Sequence, residues 1–184
     1  MQIPQRDLYQ QLRAEAIATR EKIAAMVKPF DESKLNEHPE PGGWSVAQVL
    51  EHLCVANDRT EPLATALLRE SRPDAGAAAR EWKPSLIGRL IAGGLLNPRP
   101  LKSPKVFQPG PTPRNGVAQS LHSQELNFLK AMDDAASYDW RALRMRSAAL
   151  PKWAPKMNLG DGFKIHVVHL TRHSRQIERL VGKL

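Results

Sequence analysis

Residues 165–180 read Ile165-His166-Val167-Val168-His169-Leu170-Thr171-Arg172-His173-Ser174-Arg175-Gln176-Ile177-Glu178-Arg179-Leu180. Ile165, His169, Leu170, His173, Ile177 and Leu180 recur at the spacing of an amphipathic helix, not at the alternation of a strand. Within the stretch His166, His169 and His173 stand at offsets of three and four, which puts them on one face. The chain has 6 histidines, so three on one stripe ask for a common cause. An i, i+4 pair such as His169 and His173 stands about one turn apart. Both imidazoles can then reach one metal ion, as in the zinc-binding helix H-E-x-x-H. His166 and His169, at i, i+3, could also share an ion, whereas His166 and His173 are two turns apart. Two ligands rarely make a site, so a third is expected from elsewhere in the chain.

Working back from that helix, residues 140–160 contain Arg141, Arg144, Arg146, Lys152 and Lys156 without an acid and read as a connection. Asn158 with Asp161 three residues on is a plausible cap for the last helix, with the acid at its positive end. A third helix is expected over 115–135, with Val117, Leu121, Leu129 and Met132 as its stripe and Phe128 beside it. His122 falls off the centre of that stripe and reads as a boundary or surface residue. Residues 71–114 break the pattern with eight of the 15 prolines. A short amphipathic piece, residues 85–96, lies inside them. A connection this long rarely stays structureless, so it reads as a crossover that travels along the bundle and covers one end with its short helix.

Before the crossover, Ser45-Val-Ala-Gln48 fits the capping box S-x-x-Q, with Trp44 and Val49 placed as a hydrophobic staple. The helix runs over 46–69 with Pro62 expected to kink it. Its inward stripe is Val49, His52, Ala56, Leu63 and Leu67. His52 is a polar ring on an apolar stripe. Alone it would be a core histidine with a hydrogen-bond partner; beside His169 and His173 it becomes the candidate third ligand. Residues 6–28 form the first helix, with Leu8, Leu12, Thr19, Ile23 and Met26 in line. Glu15 shares that stripe, either at its edge or toward a polar interior.

The chain of 184 residues carries a net charge of +8, suggesting one domain over residues 1–184. Residues 82–124 contribute Lys83, Arg89, Arg99, Lys102, Lys105 and Arg114 and no acid. The charge excess therefore lies mainly in connections. With no aromatics clustered among the basic residues, nucleic acid is the least favoured partner. The single cysteine, Cys54, excludes an internal disulfide and fits a reducing compartment. The first residues carry no apolar signal core, and the longest apolar run, residues 86–96, is too short to span a bilayer. The expectation is a cytoplasmic protein with no membrane contact. The fold class expected is all-α, a four-helix bundle with a long crossover between the second and third long helices.

Four blocks together carry a resemblance: Trp44-Ser-Val-Ala-Gln-Val-Leu-Glu-His52-Leu, Pro104-Lys-Val-Phe107, Leu159-Gly-Asp-Gly-Phe163 and His169-Leu-Thr-Arg-His173-Ser-Arg-Gln176-Ile. In this order they resemble the DinB-like superfamily over nearly the whole chain. The resemblance implies a four-helix bundle, often a homodimer, that binds a divalent metal, zinc, nickel or iron, through three histidines. Carried onto this sequence, these are His52, His169 and His173. It also implies a reaction type: several relatives use a low-molecular-weight thiol at the metal to conjugate or isomerise a small electrophile. No role is implied for His166 or Cys54.

Three imidazoles leave a coordination position open, unlike a closed structural zinc site. An open position serves either a hydrolase, through an acidified water, or a thiol-dependent S-transferase, through a thiolate. The rival expectation is a non-catalytic dimeric bundle whose metal is structural or absent. Gln48 and Gln176 are each placed to orient a ligand histidine, and Arg172 or Arg175 to hold a substrate carboxylate; each also reads as an ordinary helix side chain. No general base stands out. Glu15 is a guess from position, and Glu51 lies off the stripe of His52.

Overall fold

In the computed structural model, which describes residues 2–99 and 101–184, the helices are α1 (Gln5–Val27), α2 (Glu32–Leu35), α3 (Val46–Arg69), α4 (Leu86–Leu96), α5 (Val117–Asp134) and α6 (Leu159–Val181). Two short antiparallel pairs accompany them: β1 (Ile3–Pro4) with β2 (Glu81–Trp82), and β3 (Arg144–Met145) with β4 (Met157–Asn158). The fold is an all-α bundle of four long helices, α1, α3, α5 and α6, with a crossover between α3 and α5 that carries α4.

Local chemistry sets the starts of the two helices that bear the histidines. Ser45 Oγ accepts from the Gln48 N–H at 3.1 Å while Gln48 Oε1 accepts from the Ser45 N–H at 3.2 Å. Asn158 and Asp161 make the same reciprocal box at 2.8 and 3.0 Å. Each cap satisfies N–H groups that have no partner inside the helix, and is worth about 1 kcal/mol. Asp161 is buried and also accepts from the Ser85 N–H just before α4. One carboxylate thus serves the positive ends of two helices. Gly88 packs directly against that carboxylate, so a methyl group has no room there. At the far end of α4, the Arg172 guanidinium donates to the carbonyls of Leu95, Asn97 and Arg99. These two ties lay α4 lengthwise along α6. The expectation that the short helix covers one end of the bundle is corrected accordingly.

The core divides in two. One apolar cluster contains Leu8, Leu12, Phe128, Met132, Trp140, Leu159 and Phe163. The other contains Ile23, Leu50, Leu53, Leu121, Leu170 and Ile177. Each long helix passes from one cluster to the other, and polar residues stand at the crossing: Thr19 on α1, Asn57 on α3, Glu125 on α5, and His166 and His169 on α6. A polar belt therefore crosses the bundle at mid-height. α3 runs unbroken through Pro62. Leu63, expected inside, is 37% exposed, and Ala64 is buried in its place.

Candidate metal centre

His52 projects from α3 and meets His169 and His173 from α6. One ligand nitrogen from each of the three lies within 4.8 Å of the other two. His52 Nε2 and His169 Nε2 are 2.9 Å apart, a span that two metal–nitrogen bonds of about 2.0–2.1 Å can bridge. The ring centroids are separated by 4.9 Å for His52 and His169, and by 4.6 Å for each of the pairs that includes His173. The i, i+4 spacing on α6 and the staple-like Trp44, whose ring lies 5.1 Å from that of His52, produce this convergence.

Two rings have their outer nitrogen held. His52 Nδ1 donates to the carbonyl of Phe107 at 2.6 Å. His173 Nδ1 donates to Gln176 Oε1 at 2.8 Å. Each bond puts the proton on Nδ1 and the lone pair on Nε2, which faces the cluster. Burial disfavours protonation of all three rings. It lowers the pKa of His52, lowers that of His169 well below the ordinary imidazole range with further repulsion from His173 and His52, and pushes His173 down to about 3. The rings are therefore neutral near pH 7, the form that binds a metal. The donor set and its spacing fit a divalent ion.

The cluster lies on the wall of a cavity of about 1010 Å³. Leu90, Leu95, Phe107, Phe128, Met145 and Phe163 supply much of its apolar lining, drawn from the crossover and from the first of the two apolar clusters. The histidines and α4 thus line the same cavity.

The other sequence candidates sort by what they touch. Gln176 orients His173; Gln48 is confined to its cap and does not touch the cluster. Arg172 serves main-chain carbonyls, so it neither holds a carboxylate nor faces solvent freely. Arg175 lies exposed at the cavity. Glu15 is exposed beside the same cavity and accepts from Thr171 Oγ1 at 2.9 Å. His122 is exposed and Arg20 is its neighbour. Glu51 is buried and accepts from the Arg114 Nε–H at 2.8 Å, which offsets part of the crossover's positive charge. Cys54 is buried next to the Val117 carbonyl, and burial raises its thiol to about 12. Its Sγ stands outside the histidine cluster, and burial keeps it a thiol at neutral pH.

Sequence reasoning missed three participants. The Phe107 carbonyl is main chain and leaves no mark in residue type. Glu125 and Asn57 did leave a mark. Glu125 stands four residues after Leu121 and four before Leu129, a carboxylate in an apolar stripe. That is the same anomaly that singled out His52.

The DinB superfamily model matches residues 15–177. No curated protein and no solved structure matches the chain. No helix among the described residues is long and apolar enough to cross a membrane.

Proposed function

Because this chain belongs to the DinB superfamily, we propose that His52, His169 and His173 bind one divalent metal ion, and that the protein is a metal-dependent enzyme acting on a small molecule. The observation that carries the reading is the placement of three neutral imidazoles on the wall of a cavity of about 1010 Å³. A structural site would be closed. Zinc is the first expectation, and imidazole also suits nickel and iron. The ion would supply a Lewis acid that acidifies a bound thiol or water.

The favoured reaction is transfer of a low-molecular-weight thiol to an electrophile; hydrolysis is the second reading. The residues of the chain do the rest. Phe107 and Gln176 fix the ligand tautomers, and the apolar lining takes the body of the substrate and excludes water. In this reading residues 1–184 act as one cytoplasmic domain in a homodimer.

The test is elemental analysis of protein purified without a histidine tag, followed by titration with cellular thiols. One ion per chain is expected, lost in His52→Ala and His173→Ala, with thiol binding that depends on it. Full-length protein that binds zinc yet takes up neither thiol nor electrophile would favour the non-catalytic bundle instead.

A further inference from the structure

Three histidines that direct their lone pairs at an ion cannot also accept a proton. The polar belt holds a group that can. We propose that His166 is the proton acceptor for a ligand bound in the cavity, and that Glu125 is its positioning residue; this rests on reading the cavity as an enzyme site.

Glu125 is 2% exposed, and no lysine or arginine pairs with it among the described residues. Its Oε2 lies 2.9 Å from His166 Nε2, and its Oε1 accepts from Asn57 Nδ2 at 3.0 Å. A carboxylate is costly to bury without such partners. A leucine at this position would complete the apolar stripe of α5, so packing alone does not explain the acid. With Nε2–H donating to the carboxylate, the lone pair of the neutral ring is on Nδ1. Among the described residues Nδ1 has no hydrogen-bond partner, and it is not among the buried atoms that lack one. Solvent therefore reaches it. The ring plane is set by stacking on Phe128, with centroids 3.6 Å apart and planes within 6°. His166 lines the same cavity as the metal cluster, one helical turn before His169. Base, orienting acid and shared cavity are the arrangement that proton abstraction requires.

For a thiol ligand the S–H bond breaks, the proton passes to His166 Nδ1, and the electron pair stays on sulfur. Glu125 keeps its bond to Nε2 of the resulting imidazolium. As sulfur bonds to the electrophile, the displaced group leaves with its electron pair and takes the proton back from Nδ1.

Glu125 from α5 is bonded to the ring, and His169 stands one turn on along α6. Glu15 and Glu61 line the same cavity, as do Lys102, Arg172, Arg175 and Arg179, and the α3 partner of Glu125, Asn57, is neutral. Nitrogen-15 NMR of the zinc-loaded protein locates the proton. The expected result is a neutral His166 ring that carries its proton on Nε2 and gains one on Nδ1 when the thiol binds. A neutral ring with its proton on Nδ1, or no proton gained on Nδ1 with the thiol bound, overturns the proposal. Calorimetric titration with 2-mercaptoethanol at about pH 8, in buffers of different ionisation enthalpy, counts protons. His166→Gln should release about one more proton per thiol than the wild type; equal counts overturn the proposal. If the protein takes up zinc but no thiol, the thiol reading fails and the NMR result still decides the role of His166. If it takes up no zinc, the metal reading fails and the position of the His166 proton is read on the metal-free protein.

Discussion

Gln48 and Gln176 are the same residue type, each near a ligand histidine in sequence, yet they hold different things. Gln176 Oε1 accepts from His173 Nδ1 at 2.8 Å. Gln48 closes the cap of α3. Gln176→Ala should therefore weaken zinc binding by about 10–100-fold, the usual effect of losing a residue that orients a metal-bound histidine. That range corresponds to about 1.4–2.7 kcal/mol. The stability of the metal-free protein should change little, because Gln176 is half-buried and makes one side-chain bond. Gln48→Ala should do the reverse. It removes one arm of a capping box, costing about 0.5–1 kcal/mol of stability, and leaves zinc affinity within threefold of wild type. Competition against a chromophoric zinc chelator gives the affinities, and urea melts of metal-free protein give the stabilities. Wild-type affinity in Gln176→Ala, or an equal loss in Gln48→Ala, would refute the assignment of the two residues.

Three further outcomes follow from the geometry. The unfolded imidazoles take up protons near pH 6.5, while burial keeps His52, His169 and His173 neutral in the fold to lower pH. The metal-free protein should therefore keep this part of its stability above about pH 6.5 and lose up to about 1.4 kcal/mol per pH unit per ring as acid is added. Urea melts at falling pH should show the loss, with a shallower slope in His169→Leu. Gly160→Ala places a methyl group against the buried Trp82 ring and should cost about 1–3 kcal/mol. In Gly93→Ala the added carbon meets nothing within 4 Å, and helix propensity should stabilise by about 0.5–1 kcal/mol in the same melts. Arg172→Ala frees three carbonyls at the end of α4 and should open residues 97–105 to limited proteolysis while the circular dichroism of the bundle stays unchanged.

The long helices were legible because their signals are local. The expected boundaries 6–28, 46–69, 115–135 and a start at Asn158 fall within two residues of α1, α3, α5 and α6, and both predicted caps are present. The three histidines were legible because polar rings on apolar stripes are rare enough to need a reason. The face of α6 was only partly legible. It buries Phe163, Val167 and Val168 as well as Leu170, His173 and Ile177, while Ile165, His169 and Leu180 of the expected stripe are half-buried, because α1, α3 and α4 surround it and periodicity registers one buried side. The position of α4 was not legible at all. It depends on Asp161 and Arg172, two side chains whose partners are main-chain groups distant in sequence, and such bonds leave no pattern to read.

One grip on the metal cluster differs from the other. His173 is steadied by a side chain that a single mutation can remove, whereas His52 leans on the peptide oxygen at position 107. Any residue type except one that reroutes the chain supplies that oxygen. The segment 101–113, which forms part of the pocket's wall, is thus at liberty to change its side chains, and with them the shape offered to substrates, while the ring it steadies stays aimed. The shape of the pocket and the aim of the ring can therefore change separately along the same few residues.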